Sequence, residues 1–220
     1  MRTYDRLQHA TRNGTARQVI PQWASNVLGD IARNTLKVTG VRHPLGFLCL
    51  PVERTGEDGI CLHVWNDSLA QMSPTTSTIH AHSWDLTSYV LYGSVRNNVF
   101  NVTDAPDDAA YRVFEVHSGA DIDEIHETPR LVRCQIRTTE LSHGGDTYAL
   151  TAGIFHATVV QGAAATVALG RSRAGTLDLS LGGINRTSHR VQRQRCAHEE
   201  TAQVVQLVTK QLGTVDRGDP

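Results

Sequence analysis

"IHAHSWDLTSYVLYGS", residues 79–94, is the segment from which both the fold and the candidate site of this chain can be predicted. The segment is rich in β-branched and aromatic residues and ends in a glycine, which is typical of a strand followed by a turn. His80 and His82 stand one residue apart at its start. Because side chains alternate between the two faces of a strand, both imidazoles point the same way and can converge on one metal ion.

Similar short runs recur from Gly46 to about Leu181, separated by clusters of Gly, Pro, Asp and Ser. Closely spaced strands without helical patterns between them indicate an antiparallel sandwich or barrel. Residues 21–38 and 197–212 instead carry apolar side chains at helical spacing, which predicts one helix at each end of the chain. We expect residues 1–20, which are polar, to be irregular or loosely helical.

The composition is that of an ordinary globular protein, with 220 residues of which 40% are hydrophobic and 20% are charged. A formal net charge of −1 argues against nucleic acid or an anionic membrane surface as a partner. No apolar run approaches the roughly 18 to 20 residues that cross a bilayer. The four cysteines are widely spaced and form no CxxC pair, which predicts reduced thiols in a cytoplasmic protein.

A metal site at His80 and His82 needs a third ligand, because two imidazoles alone hold a divalent ion weakly. The segment "GGDTYALTAGIFHATVV", residues 144–160, offers His156 three residues after Gly153 in another apolar, strand-like run. The three histidines His80, His82 and His156 are therefore the predicted metal ligands.

These segments resemble the two motifs of the cupin superfamily, G-x5-H-x-H-x(3,4)-E-x6-G and G-x5-P-x-G-x2-H-x3-N. The positions that match are His80, His82, Gly93, Gly145, Gly153 and His156. The resemblance implies an all-β fold, the double-stranded β-helix or jelly-roll barrel, with flanking N- and C-terminal helices. It divides the chain into an N-terminal helical extension over residues 1–45, a barrel over 46–181, and a C-terminal linker and helix over 182–220.

The sequence departs from the motifs at several positions. Leu86 stands where the first motif has its glutamate, and a leucine cannot bind a metal ion. Asp85 is the nearest acid, but strict alternation turns it away from the histidines, so that only a β-bulge would make it a fourth ligand. Pro74 replaces a glycine, Thr151 the proline and Val160 the asparagine. The predicted ligand set is therefore three histidines without a carboxylate.

Among cupins, this ligand set resembles that of the thiol dioxygenases and related non-haem iron oxygenases. The resemblance implies an Fe(II) dioxygenase that uses O2 and a small-molecule substrate that chelates the metal, with Zn, Mn and Ni as alternative metals. It also implies a homodimer. Two other hypotheses stay open, namely a metal-dependent lyase, isomerase or cyclase, and a non-catalytic cupin that serves as a binding module.

Four residues near the predicted ligands are candidates for further roles. Tyr89 and His63 are the candidate catalytic residues for acid–base chemistry, although His63 could equally be a half-exposed structural histidine. Ser88 and Trp84 share the strand parity of His80 and His82, which predicts that they face the same cavity and contact substrate.

Arg133 and Gln135 are further candidates for substrate binding. They share one face of the run "RLVRCQIR", residues 130–137. If this face lines the barrel, the arginine could bind a substrate carboxylate with its planar guanidinium group. If it faces water, neither side chain has a role in the site.

Overall fold

The computed structural model describes residues 1–215, which form three helices and fourteen strands. The helices are α1 Thr3–Arg12, α2 Ala16–Ala32 and α3 His198–Val215. The strands, in chain order, are β1 Val41–His43, β2 Phe47–Thr55, β3 Asp58–Trp65, β4 His80–Ala81, β5 Trp84–Tyr92, β6 Ser94–Asp104, β7 Tyr111–Ser118, β8 Ile122–His143, β9 Thr147–Leu150, β10 His156–Val160, β11 Ala164–Ser172, β12 Asp178–Gly182, β13 His189–Gln192 and β14 Gln194–Arg195.

The strands form two antiparallel sheets of seven strands each. The first has the order β14-β1-β2-β3-β11-β5-β9, and the second has the order β13-β8-β6-β10-β4-β12-β7. The long strand β8 also pairs with β7, so that the second sheet closes on itself. The predicted all-β fold with helices at both ends is confirmed.

One face of the first sheet packs against the three helices. Their apolar side chains form one continuous core with the strands, which removes both surfaces from water. Fully buried members of this core are Ile20 and Leu28 from α2, Leu50, Leu62 and Val167 from the sheet, and Val204 from α3.

The other face of the first sheet lines the space between the two sheets. Trp65, Leu86, Val90 and Tyr148 pack together there in a second core cluster. Because strand side chains alternate, the even-numbered residues 84–90 of β5 face this interior, while its odd-numbered neighbours face outward or toward the helices. The face of β5 that was predicted to carry the site therefore points into this interior.

The N-terminal region is more helical than predicted. Residues 1–20, expected to be irregular or loosely helical, contain α1 and the start of α2, and Pro21 lies inside α2 instead of at its start. The second helix also ends at Ala32, before the predicted end at residue 38. It ends there because Asn34 adopts a left-handed conformation with φ of 57°, and the next two backbone N–H groups bond to the carbonyl of Asp30.

Strands also lie on either side of the predicted barrel range 46–181. β1 precedes it, and β13 and β14 occupy part of the predicted C-terminal linker. The boundaries of the three regions 1–45, 46–181 and 182–220 stay a prediction. Between residues 1 and 215, no helix is both long and apolar enough to span a membrane.

Candidate metal centre

The structure brings the three predicted ligands together. β4 and β10 are neighbours in the second sheet, and His80 is the cross-strand partner of His156. His82 follows β4 on the same face, and the candidate ligand atoms of the three side chains all lie within 4.8 Å of one another. The ring centroids are 4.3 to 4.8 Å apart. We call this group the histidine triad.

Backbone carbonyls fix the tautomers of two triad histidines. The Nδ1 atom of His80 lies 2.9 Å from the carbonyl oxygen of Thr78, and that of His156 lies 3.0 Å from the carbonyl oxygen of Ile154. A carbonyl oxygen can only accept, so each Nδ1 carries the proton and donates it. Each Nε2 therefore keeps a free lone pair, as in histidines that bind a metal.

The surroundings keep the triad neutral. Burial lowers the pKa of all three imidazoles below the ordinary value, and the neighbouring triad rings lower those of His80 and His82 further. His156 is 1% exposed, while His80 and His82 are half-buried. At neutral pH a metal ion therefore has no proton to displace from the triad.

An aromatic wall stands beside the triad. The indole of Trp84 stacks on the imidazole of His82, with 4.1 Å between ring centroids and 24° between the planes. Gly170 on the neighbouring strand makes room for the indole, because a Cβ atom there would lie 2.9 Å from Cε3 of Trp84. Trp84 thus lies beside the triad, as its strand parity predicts.

Ser88 also lies on the inner face, as its parity predicts, and it is fully buried. Its side chain and those of Asn97 and Thr166, which are also fully buried, surround the phenol of Tyr148. Burial raises the pKa of Tyr148, and hydrogen bonds from these three side chains lower it in part. Sequence reasoning missed Asn97 and Thr166. Asn97 lies two residues before Val99, which is the cross-strand partner of His156. Knowing that β6 pairs with β10 would have been enough to place Asn97 on the same face as the triad.

The acid next to the motif position is not a ligand. Oδ1 of Asp85 accepts a hydrogen bond from the backbone N–H of Ala152 at 3.0 Å, and Oδ2 pairs with the guanidinium of Arg173. These contacts lower the pKa of Asp85, the Ala152 N–H most. Leu86 is packed in the inner apolar cluster. Within the described part of the chain, no carboxylate joins the triad.

The two predicted catalytic residues lie in different places. Tyr89 is buried between the first sheet and the helices, on the face of β5 opposite to Ser88, so the structure does not support its catalytic role. His63 lies on the inner face of β3, with its ring centroid 4.5 Å from that of Phe47 and 6.1 Å from that of Trp65.

The two substrate-binding candidates on β8 do not reach the triad. Arg133 and Gln135 are both exposed, and Nη1 of Arg133 pairs with Asp108 at 2.7 Å. The polar face of this strand does not line the barrel, so the predicted role of Arg133 and Gln135 in substrate binding is wrong. The face turns to water because β8 extends beyond the closed part of its sheet, where its residues 135–141 are all exposed.

No protein-family model matches the chain, and no curated protein matches it in sequence. Solved structures do match. A conserved protein of unknown function from Streptococcus pyogenes is 13% identical with a TM-score of 0.35, over 59% of this chain and 76% of the other. A cupin superfamily protein from Desulfitobacterium hafniense is 11% identical with a TM-score of 0.34, over 58% and 78%. Hydroquinone 1,2-dioxygenase from a Sphingomonas species, solved with 4-hydroxybenzoate bound, is 10% identical with a TM-score of 0.33, over 56% and 65%.

The structural neighbours of this chain include cupin superfamily proteins. That is the superfamily whose two motifs the sequence resembles, and the histidines of those motifs form the triad. These neighbours are 9–13% identical to the chain.

Proposed function

We propose that this chain is a mononuclear metal-dependent enzyme of the cupin type, a non-haem Fe(II) dioxygenase acting on a small molecule that chelates the metal. The observation that carries the proposal is the histidine triad itself, three neutral imidazoles that converge without a carboxylate. Iron(II) is favoured over Zn, Mn and Ni by the resemblance in ligand set to iron oxygenases.

The donor set fits a divalent transition metal. Metal–nitrogen bonds of about 2.0–2.1 Å place the nitrogen atoms of neighbouring ligands about 2.8–3.0 Å apart around a six-coordinate ion and about 3.3–3.4 Å apart around a tetrahedral one. Triad atoms that already lie within 4.8 Å of one another reach this spacing by small side-chain rotations. Three protein ligands leave up to three positions of a six-coordinate ion for other molecules, which is enough for a bidentate substrate and one further small ligand.

The charge of the site favours a substrate that binds as an anion. All three triad side chains are neutral, so a divalent ion would keep both its positive charges in a largely apolar interior. A thiolate, carboxylate or deprotonated hydroxyl group would reduce that charge on binding. When bound, ferrous iron would supply the one-electron redox chemistry that allows dioxygen to react with an organic molecule.

The chain's own residues would orient the substrate and exclude water. Trp84 stacks on His82 and packs against the inner apolar cluster that contains Leu86, and these side chains would limit the access of bulk water to the reacting groups. The side chains of Ser88, Asn97 and Thr166 are fully buried on the inner face, around the phenol of Tyr148. Together with the Tyr148 hydroxyl, they would offer hydrogen bonds to the polar end of a small molecule bound beside them.

The test starts from protein purified anaerobically without a chelating tag. We expect about one iron per chain and, with nitric oxide as a substitute for O2, an intense iron–nitrosyl electron paramagnetic resonance signal. His156→Ala is expected to abolish the signal, whereas His126→Ala, at an exposed histidine outside the triad, is the matched control and retains it.

Consumption of O2 is then measured with a panel of small thiols, hydroxy acids and phenols. Uptake that depends on one of them and is lost in His156→Ala supports the dioxygenase. A metal-containing protein that transforms a panel compound without consuming O2 is a lyase, isomerase or cyclase instead. If wild type and the variant H80A/H82A/H156A hold equal amounts of metal, the proposal is wrong.

A further inference from the structure

We propose that Cys49, Cys61 and His63 form a second metal site, which shares no residue with the histidine triad and binds one Zn²⁺ ion. We call these three residues the cysteine–histidine cluster. Neither cupin motif includes any of them, and the proposal does not depend on the dioxygenase reaction.

Strand pairing brings the cluster together. Cys49 on β2 is the cross-strand partner of His63 on β3, and Cys61 lies two residues before His63 on the same strand. Alternation therefore places all three side chains on one face of the β2–β3 ladder. Their ligand atoms, two Sγ and one imidazole nitrogen, all lie within 4.8 Å of one another.

The three side chains lie on the inner face of the first sheet, which is the face opposite to the helices. The alternate residues of β3, Ile60, Leu62 and Val64, are buried against the helices, so Cys61 and His63 point to the opposite side. The rings of Phe47 and Trp65 lie against His63 on that side. All three cluster residues are half-buried, and both cysteines are free thiols. The site is thus partly shielded from water by aromatic rings yet accessible to an ion.

His43 is close to the cluster but is not one of its ligands. Its ring stacks on Phe47, with centroids 4.3 Å apart, and its Nδ1 accepts a hydrogen bond from the backbone N–H of Leu45 at 3.2 Å. An accepting Nδ1 means that Nε2 carries the proton, so neither nitrogen has a free lone pair. Within residues 1–215, three side chains are therefore available as ligands, and the fourth position of a tetrahedral ion stays open.

The donor chemistry selects zinc. Two thiolates and one imidazole are ligands that Zn²⁺ prefers, with bonds of about 2.3 Å to sulfur and about 2.0–2.1 Å to nitrogen. Tetrahedral geometry then requires ligand atoms about 3.4–3.8 Å apart. The three ligand atoms lie within 4.8 Å of one another, so each distance has to shorten by at most about 1.5 Å. Two thiolates also cancel the charge of Zn²⁺, whereas a Cu⁺ complex would leave one negative charge among aromatic rings.

Cobalt distinguishes the two sites, because only the cysteine–histidine cluster offers sulfur. The full chain is depleted of metal, reloaded anaerobically with Co²⁺, and examined for a thiolate-to-cobalt charge-transfer band in the near ultraviolet. We expect wild type to bind two Co²⁺ per chain and to show the band. C49S/C61S is expected to bind one and lose the band, and H80A/H82A/H156A to bind one and keep it.

Two further variants keep the test decisive if C49S/C61S does not fold. Cys134→Ser, at a half-buried cysteine outside the cluster, is the matched control and keeps the band. His63→Gln leaves both thiols in place and is expected to weaken Zn²⁺ binding at least about tenfold in competition with a chromophoric chelator. Cobalt-loaded wild type without the band, or unchanged Zn²⁺ affinity in His63→Gln, would overturn the proposal. Neither outcome bears on the iron–nitrosyl test of the triad.

Discussion

A backbone carbonyl two residues earlier fixes the tautomer of three histidines of this chain. His80 and His156 each donate from Nδ1 to such a carbonyl and leave Nε2 free. His189 makes the same contact, from Nδ1 to the carbonyl of Thr187, but its Nε2 is bonded to Oγ1 of Thr75 at 2.8 Å. The extended backbone thus sets the tautomer in all three cases, and the group that meets Nε2 separates a candidate ligand from a structural histidine.

Gly170 sets the position of the indole that stacks on the triad. A Cβ atom at this position would lie 2.9 Å from Cε3 of Trp84, so Gly170→Ala must displace the indole from His82. We expect the free energy of unfolding to fall by about 1–3 kcal/mol, as in other overpacked cores. We also expect metal affinity to fall about tenfold, because His82 loses the group that orients it. Urea unfolding and a metal competition titration measure the two effects.

Gly182→Ala is the matched control for this prediction. A Cβ atom there would lie 2.6 Å from Cε2 of Phe114, in a different apolar cluster. We expect a comparable loss of stability with unchanged metal affinity. Equal losses of metal affinity in both variants would mean that Gly170 acts through general stability and that the indole does not orient the triad.

His80 and His82 could be predicted from the alternation of strand side chains, whereas His156 lies on a distant strand and was found from its place in the second motif. Alternation along β5 correctly assigned Trp84 and Ser88 to the inner face, and the same rule already placed Tyr89 on the other face. The error at Arg133 had a different cause. Whether a face of β8 is covered depends on which distant strands reach it, and no local pattern carries that information.

At the scale of secondary-structure elements, one buried carboxylate joins α1 to the barrel. Asp58, at the start of β3, is 6% exposed and accepts from Nε of Arg171 at 2.7 Å. It also pairs with Nη1 of Arg2, just before α1, at 2.9 Å. The guanidinium of Arg171 lies 4.8 Å from the ring centroid of Tyr4 in α1. The contacts link the helix, β3 and β11 through a single acid.

Asp58→Asn is expected to lower the free energy of unfolding by about 1–3 kcal/mol at pH 7, since hydrogen bonds to a buried charged group are lost. The hydrogen bond from Arg171 is the main cause that holds the pKa of Asp58 below its ordinary value. A lowered folded-state pKa means that the stabilisation is complete above pH 4 or so and disappears as the pH falls through the folded value. The difference between wild type and variant should therefore shrink in acid.

Urea unfolding at pH 7 and at several values below pH 4 measures this difference. Asp30→Asn removes an exposed pair with Arg33 and is the control, with an expected change below about 1 kcal/mol. A loss in Asp58→Asn that is the same at every pH would mean that packing, and not charge, holds α1 in place.

At the scale of the whole molecule, the free edge of β8 is the feature that bears on assembly. Residues 133–143 of β8 pair with β6 along one edge, and no other described strand pairs with their second edge. Ile136 and Leu141 are 56% and 55% exposed on this segment. A long edge strand with exposed apolar side chains is a surface on which another strand can add.

We therefore predict that the chain forms a homodimer, through antiparallel pairing of two β8 edges. Wild type should sediment at about twice its chain mass of 24.1 kDa, and Ile136→Lys combined with Leu141→Lys should sediment as a monomer. Both positions are already exposed, so the substitutions place charges at the edge without disturbing the core. Ile184→Lys, at a 41% exposed position away from β8, should leave the dimer intact. A wild type that sediments as a monomer at all concentrations contradicts the predicted dimer, and a dimer that survives both lysines places the interface on another surface.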